Sequence, residues 1–355
     1  MKAMKRELIR RAAPNRRPAP PWLPLSLSLF LVLAAGSLAG CGDADDAGDR
    51  GAGAESAPGA AGEGGASEGG GEGILVDGFS GPESVLHDRT ADVYLVSNIN
   101  GVPAAHDGNG FISRLSPSGE VLDLRWIDGE NEGVTLDAPK GSGLRGDTLF
   151  VADIDVVRLF DRRTGAPLGE WPVDGAVFLN DVAVGDDGRV YVSDSGVTFG
   201  GDAPEHSGSA AIHVFTPDGA HRVLEAGDVT GINGIAVRGN RLYGVTGFGT
   251  GHVFTVVAGE RIDLPELPGL RLDGIVTEGD SAMLISDWDT ETVYRLRSNG
   301  SVSAVARNVE TPADIGFDEG RRRLLVPGLA TGRVLLLPLA TARPVISENE
   351  PDPAP

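Results

Sequence analysis

The sequence is short of cysteine, of positive charge and of aromatic residues. One cysteine in 355 residues excludes an intramolecular disulfide and any cysteine-cluster metal site. Lys and Arg number 30 against 51 Asp and Glu, a formal net charge of −21. That balance argues against nucleic acid as a partner, because phosphate neutralisation needs clustered cations. Aromatics are only 5%, a poor supply for the exposed patch of an assembly scaffold. No amphipathic helical period of useful length appears. What remains is 41% hydrophobic residues, enough for a sizeable core, with 52 Gly and 23 Pro. Such a chain suits one large all-β domain with appendages.

The N-terminus carries Lys2, Lys5, Arg6, Arg10, Arg11, Arg16 and Arg17, then a mostly apolar run from Trp22 to Ala35 and Leu38-Ala39-Gly40-Cys41. A basic head, an apolar middle and small residues before a cleavage point form a secretory signal. Leu-Ala-Gly-Cys resembles the bacterial lipobox, which implies lipidation of Cys41 and loss of residues 1–40. A membrane helix is the alternative; Pro24 and the shortness of the apolar run, against the roughly 20 residues of a span, weigh against it. Two or more acyl chains would anchor the protein stably. The arginine pairs at 10–11 and 16–17 lack the rest of a twin-arginine signal, so ordinary secretion is expected. Gly42 after the cysteine, in place of Asp, favours the outer membrane or its periplasmic face. The expectation is an exported, membrane-anchored bacterial lipoprotein that meets the membrane only through its lipid. Residues 41–73 read as the acylated anchor and a flexible tether of Gly, Ala, Ser and acids, and 341–355 as a disordered tail.

Between 74 and 340 one phrase recurs six times: a polar residue, a short apolar stretch, a turn, then an apolar strand about ten residues on. The leading residues are Glu83, Lys140, Asn180, Asn233, Asp273 and Asp314, at spacings of 57, 40, 53, 40 and 41. Third strands follow at 111–115, 156–160, 211–215, 252–256, 292–296 and 332–337, and turns such as Pro217-Asp218-Gly219 lead into a fourth. Four short strands in each of six units predict a six-bladed β-propeller, all-β. The sixth unit ends after three strands, near Leu337. Residues 74–78 supply its fourth by pairing with 332–337, closing the ring and removing two sheet edges.

The first strand of a blade lies nearest the axis, so a polar residue at its start points into the mouth of the axial channel. Carboxylates and amide carbonyls are hard oxygen donors that suit calcium, and the set holds no His or Cys for zinc. Glu83, Asp273 and Asp314 against Lys140 leave a charge that a divalent ion would neutralise. The alternative is a hydrated channel lining, or local caps on blade turns. Carboxylates brought together repel without a cation, which favours the metal.

Glu83, Asn180-Asp181, Asn233-Gly234 and Asp273-Gly274 resemble the calcium site of the senescence-marker-protein/gluconolactonase (regucalcin-like) family, with paraoxonases as distant relatives. The resemblance covers residues 74–340. It implies one axial Ca²⁺ held by Glu83, Asn180, Asn233 and Asp273, and hydrolysis of a small-molecule lactone or ester. Two positions depart from the family. Phe178 stands where the sugar-lactonase branch carries a substrate-binding Arg, and Lys140 where the paraoxonase branch carries a His.

An open calcium position can polarise a carbonyl and orient a water. Asp273 is the candidate base, or only a ligand. Lys140 either stabilises the developing oxyanion or balances Asp314. Long insertions at 99–110, with His106, and 196–210, with His206, lie on the same face; either His would serve as acid or base, or as a solvated surface residue. Asp153, Asp194 and Asp287 end second strands there, as supports of the site or as turn formers. Trp288 and Phe248 offer an apolar wall or pack between blades. A non-catalytic ligand- or protein-binding propeller with a structural calcium is the alternative function. A monomer is expected.

Overall fold

The computed structural model describes residues 72–200, 204–217, 219–224 and 229–340. The expected signal segment, Cys41, most of the tether and the tail 341–355 lie outside the described residues.

Every regular element among them is a β-strand. Antiparallel pairing groups the strands into six four-stranded sheets and one two-stranded hairpin. The innermost strands of the six sheets are Pro82–Asp88, Pro139–Arg145, Leu179–Val184, Ile232–Arg238, Leu272–Glu278 and Gly316–Asp318. Each innermost strand packs against the next, and the sixth packs against the first, so the sheets form a closed ring of six blades. The repeat period predicted this architecture, and the structure has it.

The apolar core lies between the blades. Phe150, Val157, Leu179, Val182, Val192 and Phe215 join blades 2 and 3, and Val245, Val253, Leu272, Ile275 and Ile285 join blades 4 and 5. Strand alternation produces this directly: successive side chains face opposite sides, so each sheet offers an apolar face to both neighbours. Burial of such surface stabilises by about 25 cal/mol per Å².

Ring closure follows the expected pairing. Ile74–Asp77 runs antiparallel to Arg333–Pro338, with Ile74 opposite Leu336 and Asp77 opposite Arg333. Val76 is buried in the cluster that joins blades 6 and 1, beside Val85, Tyr94, Leu325 and Leu336. On the axis the same blades share a short parallel contact. The Asp314 N–H donates to Glu83 O at 2.8 Å, and the Val85 N–H to Asp314 O at 3.3 Å.

Candidate functional site

The axial polar residues sit where the innermost strands bulge. Ladder pairing is interrupted between Pro82 and Ser84, Pro139 and Ser142, Leu179 and Val182, Ile232 and Ile235, and Leu272 and Ile275. A bulge takes residues out of the ladder and re-aims their side chains. Glu83, Lys140, Asn180, Asn233 and Asp273 occupy these five interruptions, and Asp314 precedes the short sixth strand. All six are buried. The strands approach so closely that a Cβ at Gly141 would collide with Asp181, one at Gly234 with the Asp273 carbonyl, and one at Gly274 with Asp314. At these three positions glycine after the polar residue is therefore a packing requirement.

Hydrogen bonds fix which atoms remain free. Asn180 Nδ2 donates to Ser195 Oγ at 3.2 Å, and Asn233 Nδ2 to Leu272 O at 3.1 Å. Both amides thereby leave Oδ1 as an acceptor. Glu83 Oε2, Asn180 Oδ1, Asn233 Oδ1 and Asp273 Oδ1 are all buried without a hydrogen-bond partner. A buried acceptor left unpaired costs about 1–3 kcal/mol, so four on one axis identify a place built for something other than N–H donors. Two carboxylates and two amide carbonyls fit a hard divalent cation. Among the described residues no group of three His, Cys, Asp or Glu has metal-holding geometry, in keeping with a set that is half amide.

The charges report the same crowding. Burial first, then the charges of Asp273 and Asp314, hold Glu83 well above the usual carboxylate range, with Lys140 opposing. Burial and the Asp181 charge push Asp273 up to about 8, while the Trp288 indole N–H pulls the other way. Asp314 is likewise raised well above the ordinary range by burial and Asp181, against a 2.6 Å bond from the Ser84 hydroxyl. Burial lowers Lys140 to about 8, opposed by Glu83 and Asp153. Its Nζ donates to Ala138 O at 3.0 Å and lies 4.4 Å from the centre of the Phe178 ring. The acids that act on Lys140 are thus Glu83 and Asp153, rather than Asp314.

The remaining expected residues take several places. Asp153 accepts the Asp137 and Ala138 N–H groups at 3.1 and 2.7 Å, and Asp194 accepts the Phe178 and Gly196 N–H groups at 3.0 Å. Each fastens the segment that leads into its blade's innermost strand. Asp287 closes a local turn on Asp289 and Thr290. His106 is exposed, with Nδ1 3.2 Å from Asp137 Oδ2, and His206 is exposed on the hairpin Val197–Thr198 with Glu205–His206. Trp288 is half-buried; its indole N–H favours the Asp273 carboxylate but makes no hydrogen bond of ordinary geometry to it. Phe178 is buried against Phe199 and Phe248, with ring centres 4.9 and 6.3 Å away.

Two residues were given no role by the sequence: Asp181, named only as the neighbour of Asn180, and Phe199. Asp181 is buried on the axis, where its oxygens accept the Val182 N–H at 2.6 Å and the Ile235 N–H at 2.7 Å. Burial raises it to about 6, and those two bonds oppose the rise. The signal was present: three other repeats carry Gly at this position. Phe199 lies in an insertion whose path no repeat predicts. From the opposite face an axial cavity of about 570 Å³ reaches up to Ser84, Asp181 and Asp314.

No protein-family model matches the chain, and no curated protein matches it. Solved structures do match. A gluconolactonase of Xanthomonas campestris is 18% identical with a TM-score of 0.57, over 76% of this chain and 91% of that one. A second gluconolactonase-type structure is 16% identical at the same TM-score, over 76% and 93%. A catalytically inactive histidine variant of virginiamycin B lyase from Staphylococcus aureus, with quinupristin, is 15% identical with a TM-score of 0.50, over 76% and 100%. The chain is a six-bladed β-propeller that shares its fold with the gluconolactonases.

Proposed function

We propose that the protein is a calcium-dependent hydrolase of a lactone or ester. The observation that carries this reading is the group of four buried, partnerless oxygens on Glu83, Asn180, Asn233 and Asp273. Those four residues would hold the ion. A divalent cation in such a site polarises a carbonyl oxygen and makes a bound water more acidic.

The chain's own groups supply the rest. Lys140 holds its ammonium beside the site through Ala138 O and the Phe178 face. It stabilises the oxygen that gains negative charge as the carbonyl carbon becomes tetrahedral. The Asp273 carboxylate takes the proton of the attacking water. The carbon–oxygen bond of the ester then breaks, that proton passes to the departing alkoxide, and a hydroxy acid, or an acid and an alcohol, is released. The fold shared with a gluconolactonase supports chemistry at a lactone. Export and lipidation at Cys41 belong to the same proposal, checked by the mass of the mature N-terminal peptide.

The test is hydrolysis of a panel of small lactones and aryl esters, with and without chelator. Activity that chelation abolishes and calcium restores is the expected result. Absence of chelator-sensitive turnover on every substrate overturns the reading. If chelation then lowers stability while Asp273→Asn keeps full biological activity, the protein is a binding propeller with a structural ion.

A further inference from the structure

We infer that the substrate carries an apolar substituent, an aryl ring or an alkyl or acyl chain, seated on Phe199 and Phe248 with the buried Phe178 behind them, and is not a polyhydroxylated lactone. The inference rests on the hydrolytic reading of the axial site and adds the substrate class.

The three rings come from three separate segments. Phe178 precedes the innermost strand of blade 3, Phe199 follows the first strand of the blade 3 hairpin, and Phe248 lies between the second and third strands of blade 4. Their centres are 4.9, 6.2 and 6.3 Å apart, in tilted or edge-on pairs. Such geometry is favourable between aromatic rings. The chain has only 11 Phe, so three in mutual contact form a concentrated apolar surface. They adjoin the polar site directly. Lys140 Nζ lies over Phe178, two residues before Asn180, and Gly247, next to Phe248, packs against the Asn233 amide.

One detail separates this cluster from ordinary core. Phe199 is still 37% exposed although two rings pack on it. Phe248 has a φ of +54°, a left-handed conformation that a bulky side chain adopts only under constraint from its surroundings. The flanking backbone supplies that constraint: Gly247 N–H bonds Gly231 O at 2.9 Å, and Gly249 N–H bonds Leu270 O at 3.2 Å. The same left-handed turn occurs at Ile154 of blade 2, so it belongs to the blade and sets where the Phe248 ring stands. A sugar-like lactone would leave its hydroxyls against these rings without partners, whereas an aryl or alkyl group loses only water.

The experiment compares kcat/KM for γ-butyrolactone, its phenyl- and hexyl-substituted forms, and glucono-δ-lactone. The enzymes are the full chain, Phe199→Ala and Phe199→Leu. The expected result is at least ~10-fold preference for the substituted lactones. Phe199→Ala lowers the substituted-to-unsubstituted ratio by about that factor, and Phe199→Leu recovers part of it. Equal or better turnover of glucono-δ-lactone, or a ratio untouched by Phe199→Ala, overturns the inference. If neither a lactone nor an aryl ester is turned over, the hydrolytic reading fails, and calorimetric titration with the hexyl-substituted lactam tests the apolar seat alone. Binding that Phe199→Ala weakens ~10-fold then supports the seat, and equal or absent binding overturns it.

Discussion

The two ends of the innermost strands bury acids in the same ring and treat them in opposite ways. At the far end every such acid meets an arginine. Asp88 takes Arg162 from the neighbouring blade at 3.1 Å, and Glu278 takes Arg295 at 2.5 Å and Arg322, also from the next blade, at 2.6 Å. Asp318 takes Arg321 at 2.9 Å and the Tyr94 hydroxyl at 2.8 Å. At the bulged end Glu83, Asp273 and Asp314 lie together with one lysine, and two of them keep a partnerless oxygen. Burial alone would raise Asp318; the Arg321 and Tyr94 bonds outweigh it, and its pKa falls. Burial raises Asp273 to about 8 because nothing comparable opposes it. The comparison teaches that burial does not decide an acid's state. The partner does, and only one end of the axis has been left without partners.

The largest effect tests the ring that both ends depend on. Deleting Ile74–Asp77 leaves the sixth blade without its outer strand and exposes the edge of Arg333–Pro338. Loss of the cooperative thermal transition is expected; an unchanged Tm would show that closure is not needed.

Next in size is a break at the far end. Arg162→Met leaves Asp88 buried with only the Thr90 and Ala91 N–H groups, and removing one partner of a buried pair costs about 3–5 kcal/mol. Denaturant unfolding reads it. A cost under about 1 kcal/mol would place this pair with exposed ion pairs.

The bulged end should respond with the opposite sign. Asp273→Asn removes a buried acid whose ionisation the folded chain opposes, so the chelated protein gains stability on the order of 1 kcal/mol, while its stabilisation by calcium is lost. Destabilisation of the chelated protein by Asp273→Asn would contradict this.

The pH profile probes the same contrast without a substitution. Glu83, Asp273 and Asp314 have folded pKa values above those of the unfolded chain. Their cost is absent below an unfolded value of about 4 and fully present above the folded values, so the chelated protein is more stable at pH 5 than at pH 8. Asp318 runs the other way: its folded pKa is lowered, and its contribution is lost only as pH falls through that value. Calcium flattens the loss between pH 5 and 8. A chelated protein equally stable at both pH values would remove the contrast.

The bulged end was legible in the sequence because a polar residue recurs at one place in each blade. Glu83, Lys140, Asn180, Asn233, Asp273 and Asp314 could be listed from the repeat alone, and so could the pairing that closes the ring. Asp181 was named beside Asn180 but given no role, because the repeat shows which position it holds and not that neighbouring strands nearly touch there. The arginines of the far end were invisible for a related reason. Arg162 meets Asp88 across 74 positions, through cross-blade packing that no local pattern encodes. Phe199 lies in an insertion, outside the repeat altogether.

Calorimetric titration of the chelated full-length protein with Ca²⁺ tests the central claim most directly. One ion per chain is predicted, with affinity lowered at least ~10-fold by Asn233→Ala, whose amide oxygen would be a ligand. No binding, or equal affinity in the variant, would contradict an axial site built from the partnerless oxygens.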